Sequence, residues 1–272
     1  MSKNRLHSVI QRFNLHPPEG NLLADKNQPW WDEQVFSQLS GFQVQLDLEI
    51  IAHLEAQKAK IDQKLAELSD TAPWADEMVY LMQIPGFGLL TGMVLLAAVG
   101  DIARFSHPKK LVGYAGLGAG VHVSGQKHQE KSITKQGRKE LRWTLVQAAW
   151  GAVRSDPYWK AQYQRLTRRK HPNQAIVAIA RRLLVAAWHT LTQHEPYRRA
   201  DEATIAYKMM IWSQRMDEKA LRGLTRQQFI KYGLLRLGVG QDLTRIVRSG
   251  LPRRIAPADE VLALRPDLKP PG

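Results

Sequence analysis

The stretch "FQVQLDLEIIAHLEAQKAKIDQKLAELS", from Phe42 to Ser69, sets the fold class. Within it Val44, Leu48, Ile51, Leu54, Ile61, Leu65 and Leu68 recur at spacings built from three and four, and only Lys58 breaks the seam. Residues three and four apart share a face of a 3.6-residue turn, so the spacing predicts a long helix. Charged side chains fill its other faces, as in a coiled coil or a helical hairpin. Such a helix either joins a second copy of the chain or packs on its own domain.

Helical signals continue on both sides. Upstream, Asn4 to Asn14 reads as a short helix stopped by "HPPEGN", and "NQPWWDEQ" restarts one at its tryptophans. Downstream, "DTAP" (Asp70–Pro73) punctuates the long helix and Trp74 to Met82 begins the next. Then "QIPGFGLLTGMVLLAAVG" reads as a tight turn, Pro85-Gly86-Phe87-Gly88, followed by an apolar helix ending near Gly100. The pattern predicts a helix-hairpin-helix. Pro85, Gly86 and Gly88 are its candidate DNA contacts, because glycine lets the backbone approach a phosphate and the amides opening the next helix can bind it. A plain helical hairpin with a glycine cap gives the same pattern.

Pro108 starts a short helix, and beyond it the chain loosens. Gly113, Gly116, Gly118, Gly120 and Gly125 fall in a stretch expected to be a loop, which ends on Ser124-Gly125 and runs into lysines and arginines. From Arg138 the helical pattern returns, with Leu141, Leu145, Ala148, Ala149 and Val153 on one face. Asp156 and Pro157 open another helix, "QAIVAIARRLLVAAWHTL" forms a core helix, and one or two more helices follow. The tail "RPDLKPPG" is expected to be disordered. With weak strand signals throughout, the expected fold class is mainly α. The expected divisions are 1–41 (linker helix and loop), 42–70 (coiled-coil-like helix), 71–195 (helical domain with the serine loop) and 196–272 (C-terminal helical extension).

Charge narrows the function. The 272 residues carry a net charge of +14, are 44% hydrophobic and 24% charged, and include no cysteine, which excludes disulfides, zinc–thiolate sites and cysteine nucleophiles. Residues 1–103 are net −6, residues 104–199 net +15 and residues 200–272 net +5. A basic block of that density attracts polyphosphate and releases its counterions, which points to nucleic acid. The opening "MSKNRLHSVIQRF" lacks the apolar region of a secretory leader, and the longest apolar run, Leu89 to Gly100, is too short for a bilayer. The expected location is cytoplasmic and nucleoid-associated, with no membrane partner.

Familiar catalytic patterns are missing. No His-x-x-x-His spacing, Walker loop, dinucleotide fingerprint or Gly-x-Ser-x-Gly elbow occurs, and no metal-binding residues are expected. Asp76, Glu77 and Asp101 flank the hairpin turn and read as caps and surface charges. What remains is Ser124, followed within eighteen residues by Lys127, Lys131, Lys135, Arg138 and Arg142. A serine attacks phosphorus when its proton can leave and cations stabilise the five-coordinate phosphate. His122 or His128 could take the proton. A serine beside glycine is also an ordinary turn residue.

Three stretches occur in a recognisable order: "KNRLHSVIQRFNLHPPEG", "IPGFGLLTGMVLLAAVGDIARF" and "KKLVGYAGLGAGVHVSGQKHQEKSITKQGRKELRWTLVQAA". Together they resemble the C-terminal domain of insertion-sequence transposases of the IS110/IS116/IS902 family, over residues 1–190. The resemblance implies a DNA-mobilising recombinase with a covalent serine nucleophile, acting as a homo-oligomer through residues 42–69 and guided by a structured RNA. The family typically reads Ser-Ser-Gly-Gly where this chain reads Val123-Ser124-Gly125-Gln126, so Ser124 retains the nucleophile if it is the second serine of the pair, and Val123 replaces it if it is the first. The resemblance also implies an N-terminal RuvC-like domain whose acidic residues hold magnesium. That domain has no counterpart among residues 1–272, so the chain alone is expected to bind DNA but transpose poorly. Its other expected role is that of a non-catalytic or interfering remnant.

Overall fold

The computed structural model describes residues 1–124, 127–248 and 250–266, with the side chains of Asp25, Ala119, residues 121–132 and Arg248 outside the described set. Two compact units emerge, Met1–Asp62 and Gln63–Gly272. Among the described residues the chain is mainly α, with twelve α-helices and two short hairpins.

The first unit holds α1 (Ser2–Arg12), α2 (Gln28–Asp32) and α3 (Gln38–Ser69) as far as Asp62. Leu6, Val9 and Ile10 of α1 meet Val44 and Ile51 of α3, with Leu22 and Trp31 closing the core. Trp31 donates its indole N–H to the Leu22 carbonyl at 3.2 Å. Asp47 is buried beside this core, where Arg5 Nε donates to it at 2.8 Å and holds its carboxyl below the usual range.

The expected seam on α3 is not one surface. Val44 and Ile51 are buried in the first unit, while Leu65 and Leu68 are half-buried on the core of the second. Leu54 and Ile61, from the same seam, are each 60% exposed. A different stripe lies open beside them, formed by Leu39, Phe42, Leu46 and Ile50. The reason is that α1 covers one flank of α3, a tertiary contact that heptad spacing does not encode.

The second unit contains α4 (Ala75–Met82), α5 (Leu89–Val99), α6 (Pro108–Tyr114), β1 (Ala119–Ser124), β2 (Lys127–Ile133), α7 (Lys139–Ser155), α8 (Pro157–Thr167), α9 (Pro172–Gln193), α10 (Glu202–Gln214), α11 (Arg226–Arg236), β3 (Arg245–Arg248), β4 (Leu251–Arg254) and α12 (Ala258–Leu264). One core links them, from Ala66 to Val261, so residues on both sides of 195 share it. By composition α9 is long and apolar enough to cross a membrane, but half of its apolar window is buried as core. Its buried face carries Ile176, Ile179, Leu183, Leu184 and Leu191. Trp212 on α10 donates to the Ser69 hydroxyl at 2.7 Å, joining the C-terminal helices to the end of α3.

Local chemistry sets the helix ends. The Asp156 carboxylate accepts from the Trp159 amide at 3.0 Å with Pro157 next to it, a side-chain N-cap that starts α8. A reciprocal Thr225–Gln228 capping box starts α11. Asp101 accepts from the Ala103 amide at 2.8 Å, which makes it a cap. At the end of α3, burial pushes the Asp70 carboxyl up to about 6 even though Arg222 Nε lies 2.9 Å away.

The strands correct the sequence reading. The glycine-rich and basic stretch expected to be a loop folds as the antiparallel β1–β2 hairpin, and β3–β4 forms a second one. Register in β1–β2 runs from Ala119↔Ile133 to Ser124↔Lys127, with an irregularity between Ala119 and Val121. Strand β2 reads "KHQEKSI" and has no apolar alternation to announce it. The tail from residue 267 lies outside the described residues.

Candidate nucleic-acid interface

The turn between α4 and α5 is held from three sides. Lys208 of α10 donates to the carbonyls of Met82 and Ile84 at 2.9 and 2.7 Å. The side-chain oxygen of Gln83 accepts from the Tyr197 amide at 2.9 Å, and Pro85 is buried. Gly86 has φ +80, and a Cβ there would stand 2.0 Å from the Ala148 carbonyl oxygen in α7. The turn therefore rests directly on the α7 backbone, and the Gly86 face that lacks a side chain points into protein.

Gly88 is placed differently. It caps α5 in extended conformation at φ −135, and nothing lies within 4 Å of where its Cβ would be. The first amides of α5 have no intrahelical acceptors, as at any helix start. They border a cleft of about 290 Å³ lined by Gly88, Leu90, Thr91, Lys208 and Arg215. Burial draws the Lys208 amine down to about 7. Of the three turn residues named from sequence, Gly86 and Gly88 both line the cleft, Gly86 also seats the turn on α7, and Pro85 is core.

The β1–β2 hairpin is clamped at its base. Backbone amides of Thr134, Lys135 and Arg138 donate to the carbonyls of Gly118, Gly116 and Tyr114 at 3.0, 3.3 and 3.2 Å. At Gly137 (φ +129) a Cβ would lie 2.2 Å from the Tyr114 carbonyl, so only glycine fits this closure. Arg142, half-buried on α7, donates to the Lys135 carbonyl at 3.1 Å and so ties the helix to the returning strand. Arg138, at the α7 N-cap, donates from Nε to the Tyr114 hydroxyl at 3.0 Å, and that hydroxyl donates to the Ala98 carbonyl at 2.8 Å. Lys135 is exposed and adopts φ +55.

These contacts bring Lys135, Arg138 and Arg142 together at the root of the hairpin, with Ser124 at its far end. Ser124 is the last paired residue of β1, opposite Lys127, and the backbone pairs His122 with Gln129 two positions further down. The side chains of Ser124, Lys127, Lys131, His122 and His128 lie outside the described residues. Sequence reasoning missed Lys208 and Tyr114 as positioning groups. A lone lysine inside the apolar run "YKMMIW" was the available signal for Lys208. Among the described residues, no three His, Asp or Glu side chains converge as a metal site.

Residues 78–164 match the profile described as the Transposase IS116/IS110/IS902 family. The transposase for insertion sequence element IS1111A of Coxiella burnetii is 32% identical over 139 residues, covering 48% of this chain and 37% of that protein. An uncharacterized 42 kDa protein of insertion element IS900 from Mycobacterium paratuberculosis is 29% identical over 171 residues, covering 60% and 42%. The pilin gene-inverting protein of Moraxella bovis is 32% identical over 151 residues, covering 54% and 47%. The matched part of the chain thus spans less than half the length of each of these relatives.

Proposed function

We propose that the chain, whose residues 78–164 match the profile described as the Transposase IS116/IS110/IS902 family, acts on DNA in transposition, with Ser124 as nucleophile. The observation that carries the reading is the clamped hairpin. Its backbone register puts Ser124 opposite Lys127, and its root gathers Lys135, Arg138 and Arg142. In the proposed step Ser124 Oγ bonds to phosphorus as one P–O bond to deoxyribose breaks. The serine proton passes to a base, for which His122 and His128 are the nearby candidates, and the leaving sugar hydroxyl takes up a proton. Lysine and arginine stabilise the charge that builds on the phosphate oxygens. The bond is exchanged rather than hydrolysed, so the phosphodiester energy is kept for rejoining.

Gly88 and the first amides of α5 are the proposed contact to the DNA backbone at the α4–α5 turn, which is the helix-hairpin-helix reading. A structured RNA is a further proposed partner, since its phosphates suit the same basic block. Any magnesium is proposed to come with a RuvC-like domain outside these residues. Among the described residues no three His, Asp or Glu side chains gather to hold it.

The test is to incubate the chain with the ends of its element, with and without a supplied RuvC-like domain, and denature the mixture. A protein–DNA adduct that survives denaturation and disappears in Ser124→Ala is the expected result. If DNA binds and Ser124→Ala changes nothing that can be measured, the chain is a binding module and the nucleophile assignment falls.

Self-association is proposed to use the open stripe of α3, Leu39, Phe42, Leu46 and Ile50, continuing to Leu54 and Ile61. These side chains are 42–79% exposed, and they repeat at helical spacing with no cover from their own unit. Introducing Leu46→Glu and Ile50→Glu is expected to leave a folded monomer where the wild type sediments as a dimer or larger. An unchanged sedimentation coefficient would place the interface elsewhere.

A further inference from the structure

Residues 157–194 contain Lys160, Arg165, Arg168, Arg169, Lys170, Arg181 and Arg182 but no aspartate or glutamate. They form α8, a short turn and α9, two helices that pack together. All seven cations are exposed, and none forms an ion pair among the described residues.

Two of them are held side by side. Arg165 Nη2 on α8 and Arg182 Nη1 on α9 both donate to Gln162 Oε1, each at 2.9 Å. One neutral amide oxygen thus fixes two guanidinium groups, from two helices, within a few ångströms of each other. It orients them without neutralising either, so their mutual repulsion persists until an anion arrives. Their planar donor edges match the oxygens of a phosphate or a carboxylate, and a run of seven cations suits the polyphosphate.

The adjoining turn carries the same charge further along the edge. Arg168, Arg169 and Lys170 follow the last turn of α8, where the helix dipole favours cations, and lead into α9, a 22-residue helix capped by His171 with no acidic residue in its first turn. The large rings along this edge, Tyr158, Trp159, Tyr163 and Trp188, are buried or half-buried. No tyrosine or tryptophan on this edge is exposed for stacking unpaired bases, and the exposed rings are the small imidazoles of His171 and His189, which favours the backbone of paired strands over single-stranded RNA.

We propose that the α8–α9 edge is a second contact for duplex DNA, in which Arg165 and Arg182 hold one phosphate between them, separate from the β1–β2 hairpin and the α4–α5 turn. The proposal rests on the DNA-acting reading above.

Its test is binding of the full chain to a duplex of about 30 base pairs across a salt series. For Arg165→Gln with Arg182→Gln, affinity at intermediate salt is expected to fall about tenfold, and the slope of log affinity against log salt to shrink by about one to two. The control Arg12→Gln with Lys26→Gln removes the same charge from exposed positions of the first unit, and is expected to change affinity about twofold or less. Arg165→Lys with Arg182→Lys keeps the charge and should restore most of the slope. Each single glutamine variant should show part of the loss. If the double glutamine variant behaves like the control, the proposal fails while wild-type DNA binding stands. If only binding of single-stranded RNA of equal length is lost, the edge is an RNA contact and the proposal also fails. If the wild type does not bind the duplex, the DNA-acting reading falls and this contact falls with it.

Discussion

Gly86→Ala is expected to destabilise the protein by about 3–5 kcal/mol, as overpacking against immovable backbone does. The added Cβ would sit 2.0 Å from the Ala148 carbonyl oxygen and 2.9 Å from the Ala152 nitrogen. Both are backbone atoms in the interior of α7, so no rotamer change relieves the clash. The left-handed φ of +80 adds a cost of about 1–2 kcal/mol for any residue with a side chain. The contrasting variant is Gly88→Ala, where φ is −135 and the space is open, so stability should change by less than about 1 kcal/mol. Urea unfolding separates the two. An unchanged midpoint for Gly86→Ala would mean that the turn does not rest on α7. Gly88→Ala should instead weaken DNA binding while the protein stays folded.

Lys231→Met should also cost about 3–5 kcal/mol, because it leaves buried carbonyls without a donor. Lys231 is 0% exposed, and its ammonium donates to the carbonyls of Gly240, Gln241 and Leu243 at 2.8, 3.0 and 2.8 Å. These three carbonyls belong to the crossing from α11 to β3. Burial lowers the amine below its ordinary range, and Asp242 and Glu202 pull it back up. Methionine keeps the length and apolar stem but offers no proton. The crossing is expected to open, with early hydrogen exchange at residues 240–246 and a lower melting temperature. A loss below about 1 kcal/mol would show that water replaces the ammonium at little cost.

The two variants illustrate why parts of the chain were legible and others were not. Gly86 was visible in the sequence as a glycine in a tight turn before an apolar helix, and the turn is there. Its second requirement, contact with Ala148 and Ala152, comes from α7, some sixty residues further on. Lys231 reads as an ordinary charged residue of an amphipathic helix, and no local pattern marks the three carbonyls that enclose it.

The same division holds at the candidate site. Helix starts at Pro108 and Pro157, and the Asp156 cap, follow from backbone chemistry within a few residues, so they could be read directly. The β1–β2 hairpin could not. Its second strand is polar throughout, and its closure depends on Gly116, Gly137 and Arg142 meeting from separate elements. Ser124 and the basic residues after it were named from charge, spacing and family likeness. Their division into a hairpin tip and a hairpin root became apparent only with the pairing register.

By itself, the sequence determined the mainly α class, most helix boundaries and the basic middle of the chain, whereas Ser124 stood out only through family likeness. The first three depend on neighbours within about one or two helical turns, or on composition. Tertiary structure alone decided which flank of α3 is covered, that Gly86 rests on α7 while Gly88 stays open, and that Arg165 and Arg182 share one acceptor. Each of these depends on which distant surfaces meet, and a one-dimensional pattern does not carry that information.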